Sequence, residues 1–248
     1  EMSRCKNGEK GVFCNMKNWK RILAAALASA AVLSLSGCKD TTKDATVFVK
    51  GELDCTYLGT YDKEYLDVVA DMTEADAKEK YDYNVEAEAS IMLGYLDINT
   101  TDETVVERAE KLVSDIYSHA KYTVANAEKL KSGDLAVEVT VSPIELLPLL
   151  TDEFVQDTWY NILAQNGVET QDQLDALSDD AYDALEVEYA NIVLGELEGL
   201  MSQLSYGEDQ IIMLQMKKDD DGYYSLVESG MQKLDEVMID YSGSYTAD

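Results

Sequence analysis

Twice along this chain helical spacing of apolar residues gives way to strand patterning, and that switch constrains the fold more than any other feature. Tyr122 and Val124 precede a turn-forming Ser132-Gly133-Asp134, after which Val137, Val139 and Val141 alternate with Ala136, Glu138 and Thr140. Alternation of that kind buries one face of a strand and wets the other, so residues 121–142 predict a hairpin that Pro143 ends. The second switch comes at Gln210–Met216, apolar on both faces at Ile211, Ile212, Met213 and Leu214. Such a strand is covered on both sides or central in its sheet. Asp221-Gly222 then turns it into Tyr223–Val227, a second hairpin over about 210–228.

Helical spacing fills the intervals. Ala45, Val49, Leu53 and Tyr57 recur at i+4, and Gly59 follows as a stop. Thr73-x-x-Asp76 and Thr100-x-x-Glu103 read as capping boxes opening two helices, the second with Val105, Ala109, Leu112 and Ile116 on one face. Phe154, Val155, Trp159, Ile162 and Leu163 form a stripe closed by Gly167. A longer stripe holds Leu185, Tyr189, Ile192, Val193, Leu197, Leu200, Met201 and Leu204. Ser229-x-x-Gln232 opens a last helix with Leu234, Val237 and Met238. Helices beside hairpins give an α+β class: one four-stranded antiparallel sheet from two hairpins, with helices packed on it.

The amino-terminal region reads as an address. Lys17, Lys20 and Arg21 precede an apolar run, Ile22–Leu35, which Leu35-Ser36-Gly37-Cys38 closes. Fourteen residues fall short of the roughly 20 that a helix needs to cross a bilayer. The length and basic flank are those of a signal peptide. Leu35, Ser36, Gly37 and Cys38 resemble the lipobox of bacterial lipoproteins. That resemblance implies cleavage after Gly37, a thioether-linked diacylglycerol on Cys38 and a long-lived tether to membrane lipid, because two acyl chains hold where one is marginal. The expected organisation is a mis-assigned leader at 1–15, a signal at 16–37, a lipidated tether at 38–43 and a single globular domain over 44–248. Met16 is the expected start.

Charge sharpens the picture. Removing residues 1–37 takes six Lys/Arg and two acids from totals of 20 and 49, leaving a formal net charge of −33. Nucleic-acid binding needs clustered cations to displace counterions, so it is not expected. Cys5 and Cys14 lie in the leader and Cys38 takes the lipid, which leaves Cys55 as the lone thiol and no internal disulfide.

No residue set announces chemistry. Lys217–Glu228 imitates a calcium loop, but Lys217 stands where the first carboxylate belongs, so a solvated hairpin turn is expected and no metal. His119, the single histidine, follows a helix whose terminal carbonyls favour a cation. Carboxylate pairs such as Glu86/Glu88, Asp179/Asp180, Glu186/Glu188 and Glu196/Glu198 are uninformative in so acidic a chain. No catalytic residue and no cofactor is expected. The one surplus is tyrosine, sixteen against three Phe and two Trp. Tyr57, Tyr61 and Tyr65, spaced as on one helix face, join Tyr223 and Tyr224 as candidate ligand contacts, since an exposed ring with a hydroxyl tip suits glycan or protein recognition.

The helix-first layout with an antiparallel sheet resembles cystatin-like or nuclear-transport-factor-2-like cone folds. It is also similar to uncharacterised Gram-positive lipoproteins that carry a domain of unknown function. The expectation is a lipid-anchored protein on the outer face of the cell membrane, a non-enzymatic module that binds an envelope protein or glycan. The alternatives are a carboxylate-based hydrolase of cell-wall glycan and a structural accessory subunit of an envelope complex.

Overall fold

The computed structural model describes residues 41–220 and 222–242 together with a short strand, β1 (Val32–Leu33). The lipobox, the signal cleavage site and the leader lie outside the described residues. Helix α1 (Thr41–Leu53) buries Ala45, Phe48, Val49 and Leu53, the stripe its i+4 spacing predicts. It runs into one π-helical turn, Asp54–Leu58, and Gly59 stops it at φ 61°, a left-handed conformation that glycine adopts without a Cβ penalty. Short α2 (Lys63–Val68) folds back on α1, and the close approach is made at Gly51. A Cβ added there would lie 2.3 Å from the Tyr65 ring.

Helix α3 (Glu74–Tyr95) starts at the Thr73/Asp76 capping box, with both reciprocal hydrogen bonds present. Helix α4 (Glu103–Tyr117) buries Val105, Ala109, Leu112, Val113 and Ile116. Its cap is Asp102, whose carboxylate accepts from the Thr104 and Val105 amides, rather than Thr100. The Thr100 hydroxyl instead accepts from Asp102 N at 3.1 Å, one residue pair too early to cap.

The strands are β2 (Lys121–Val124), β3 (Glu128–Lys129), β4 (Leu135–Ser142), β5 (Ile144–Glu145), β6 (Ser205–Tyr206), β7 (Gln210–Lys218) and β8 (Tyr224–Leu226). The remaining helices are α5 (Asp152–Gln165), α6 (Gln171–Asp175), α7 (Asp179–Leu200) and α8 (Glu228–Met238). The main sheet runs β1-β8-β7-β4-β2, with β3 beside β4, and every pair is antiparallel. It has six strands, not the four expected, because β1 adds to the β8 edge and β3 inserts before the Gly133 turn. Strands β5 and β6 form a separate pair.

Leu135, Val137, Val139 and Val141 of β4 are wholly buried beneath α1 and α8, while Glu138 is exposed. Strand β7 is central in the sheet, as its apolar content predicts, but only one face is covered. Ile211 and Met213 are 65% and 55% exposed on the other, whereas Leu214 and Met216 are buried. Helix α7 ends at Leu200 and buries Leu185, Tyr189, Val193 and Leu197 of the expected stripe, with Leu194 joining them inside while Ile192 faces water. Helix α8 begins at Glu228 after Val227, which has no capping side chain, so Ser229 sits inside the first turn instead of capping it.

Candidate functional site

One face of α3 carries Lys80, Asn84 and Glu88, spaced one turn apart, and all three turn inward. Lys80 is ion-paired with Glu52 of α1, both side chains nearly sealed from solvent. The Tyr65 hydroxyl donates to the other Glu52 oxygen at 2.8 Å, so that carboxylate is satisfied from two sides. Beside it the Cys55 thiol points at the Ala77 carbonyl, 3.3 Å away, and burial pushes its pKa up to about 11. A thiol so protonated is a poor nucleophile, so Cys55 is a structural residue and not a reactive one.

One turn further along α3, Glu88 accepts from the hydroxyl of Tyr241 and also from Tyr117 of α4. Burial raises its pKa and the two hydroxyls oppose the rise. Across from it the Tyr57 hydroxyl, on the π turn, donates to Asp235 Oδ1 of α8. Asp235 as a residue keeps some solvent contact, but its Oδ2 is sealed and has no hydrogen-bond partner among the described residues. Desolvation pushes the carboxyl up to about 8, with Glu88 adding to the rise while the Tyr57 hydroxyl and Lys80 work against it. The same burial lifts Tyr57, Tyr117 and Tyr241 well above the usual phenol range. Tyr57 and Tyr117 meet edge to face at 5.3 Å, as do Tyr95 and Tyr241 at 5.0 Å. This interior therefore sets two acids raised by burial, Glu88 and Asp235, and raised phenols beside the buried Lys80–Glu52 ion pair. Its groups face one another, not a surface.

The sequence-based candidates are dispersed. Tyr57, Tyr61 and Tyr65 do not share a helix face, because the π turn and Gly59 break the helix between them. Tyr57 and Tyr65 are buried, and so is Tyr224, whose hydroxyl donates to the Gly133 carbonyl. Tyr61 is half-buried and Tyr223 is 39% exposed. Of the five, then, only these last two offer a ring to a ligand. The Asp219 carboxylate accepts from Tyr223 N at 2.8 Å, which makes it a turn-closing group. The His119 amide bonds back to Ile116 O at the end of α4, and its carbonyl accepts from the Tyr206 hydroxyl. Of the carboxylate pairs, Glu86 is exposed while Glu88 is inside, and Glu186 is wholly buried, taking the Asn99 amide at 3.3 Å. Sequence reasoning passed over Asp235 and Lys80. The available signal was their spacing: Asp235 sits between Met231 and Met238 on the apolar stripe of α8.

Set beside solved structures, the chain is similar to the crystal structure of "a putative lipoprotein (ycdA) from Bacillus subtilis subsp. subtilis str. 168". The TM-score is 0.51 and the identity 17%, over 79% of this chain and 56% of that one. The chain therefore spans little more than half the length of that protein, and the likeness is one of fold. No family model matches the chain, and no curated protein matches it. Among the described residues no helix is long and apolar enough to cross a membrane.

Proposed function

We propose that the protein is an extracytoplasmic lipoprotein, held to membrane lipid through Cys38, whose α+β body is a non-enzymatic binding module. The observation that carries this reading is Leu35-Ser36-Gly37-Cys38 behind a short apolar run. The fold likeness to a protein described as a lipoprotein adds to it. The body begins at Thr41, three residues after Cys38, so the tether is short and the module stands close to the lipid surface. Its antiparallel sheet with helices on one face suits a cone of the cystatin-like or nuclear-transport-factor-2-like kind. Glu88 and Asp235 are the residues a carboxylate-based hydrolysis would call upon. Their engagement by Tyr241, Tyr117 and Tyr57 supports a structural role instead.

A second reading, an accessory subunit of an envelope complex, is favoured by the bare face of β7 with Ile211 and Met213. Metabolic labelling with a palmitate analogue, followed by membrane fractionation, tests the anchor. Label and membrane association are expected for the wild type and lost in Cys38→Ser. Unlabelled wild-type protein released to the medium would contradict it.

A further inference from the structure

The carboxyl-terminal element, α8 and the chain after it, is joined to the body by the apolar packing of Met231, Leu234 and Met238 beside β4 and β7 and by two kinds of polar contact. One is backbone: Asp240 N donates to Ile144 O at 2.9 Å, and Ile239 bridges Ile144 in parallel. The other is acid against phenol. Asp235 of α8 takes the Tyr57 hydroxyl, and Tyr241 gives its hydroxyl to Glu88 of α3. The two carboxyls sense each other, and among the described residues Asp235 Oδ2 has no donor to receive a negative charge. Ionising either leaves a poorly solvated anion beside another acid.

We propose that Asp235, set between α8, the π turn and α3 with its Oδ2 sealed and unpartnered among the described residues, is a proton-held latch on the docking of α8 and the following residues. The Tyr57 hydroxyl favours the ionised acid, but the desolvation of the sealed carboxyl outweighs it, so docking is tightest when Asp235 is neutral. The groups facing Asp235 are Tyr57 on the π turn, Tyr117 on α4, Lys80 and Glu88 on α3 and Glu236 on α8 itself. Around Glu88 stand Tyr57, Tyr117, Tyr241 and Asp235. Lys80 alone among them is cationic, and it is already committed to Glu52. A released α8 returns Asp235 to water and to its ordinary value of 3.8, whereas the docked value is about 8. Release is therefore proton-linked across that window: each pH unit of rise between about 4 and about 8 favours the open form by up to about tenfold, and the effect levels off above. For a protein that meets the outside medium, this makes the docking of α8 a readout of external acidity. The latch is independent of whether Cys38 is lipidated.

Infrared difference spectra of the full chain between roughly pH 7 and roughly pH 10 test it, with Asp235→Asn as the comparison. The wild type is expected to lose a protonated-carboxyl band with a midpoint near 8, and Asp235→Asn to lack that band. Denaturant unfolding from roughly pH 5 to roughly pH 8 should show a shallower loss of stability with rising pH in Asp235→Asn than in the wild type, by up to one proton. Should Asp235→Asn fail to fold, Glu88→Gln and the wild-type spectrum carry the test. Absence of a protonated carboxyl at roughly pH 7, or equal pH slopes for wild type and Asp235→Asn, overturns the latch.

Discussion

The molecule has two interiors built on opposite rules. Under α5 and α7 the packing is mainly apolar: Val155, Trp159, Ile162 and Leu163 lie with Leu185, Tyr189, Val193, Leu194 and Leu197, and the buried Glu186 takes the Asn99 amide at its margin. Trp159 stands edge to face with Tyr189 at 5.9 Å and with Tyr182 at 6.2 Å. Between α1, α3, α4 and α8 the core is instead threaded by Glu52, Lys80, Glu88, Asp235 and four tyrosine hydroxyls. Both regions are densely buried, but the second holds the acids that burial raises, Glu88 and Asp235, and is the one the proposed latch couples to protons. Burial alone thus does not make a core indifferent to solution conditions; the identity of the buried groups decides that.

Four substitutions can break or sharpen the contrast. Lys80→Ala should cost most, about 3–5 kcal/mol, because it leaves the Glu52 carboxylate buried without its cation. Chemical denaturation would read it, and a loss under 1 kcal/mol, roughly a surface-pair value, would show that water reaches the pair. Leu197→Ala, in the apolar interior, should cost about 2–5 kcal/mol through lost contacts and a cavity. Its cost should be the same at acid and neutral pH, and a marked pH dependence would dissolve the distinction between the two interiors. Tyr57→Phe should cost about 1–3 kcal/mol by deleting the hydrogen bond to Asp235, with the larger value on the alkaline side, where the acceptor is charged. Lys63→Ala, which breaks an exposed pair with Asp67 on α2, should leave the melting temperature unchanged within error.

Local signals with an unambiguous stereochemical cause were legible in the sequence. The Thr73/Asp76 box, the face of α4 and the turns at Gly133 and Gly222 all follow from backbone rules that act over a few residues. The interior acids were not legible. In a chain with 49 Asp and Glu, nothing nearby marks Glu88 or Asp235 as the ones that turn inward. Their burial is decided by α3 meeting α8, elements more than a hundred residues apart. The tyrosine spacing misled for a related reason. Tyr57, Tyr61 and Tyr65 look like one face only if the helix continues, and the π turn with Gly59 ends it between the first and second. Ile211 and Met213 show the converse case, apolar residues on a central strand that are exposed among the described residues.

Amide hydrogen exchange, resolved along the chain and corrected for the intrinsic rate at each pH, separates the two interiors most directly. Between roughly pH 5 and roughly pH 8, protection in α8 should fall by at least about tenfold more than protection in α5 and α7. Equal loss in all three helices, or none in α8, would contradict a proton-coupled interior beside an indifferent one.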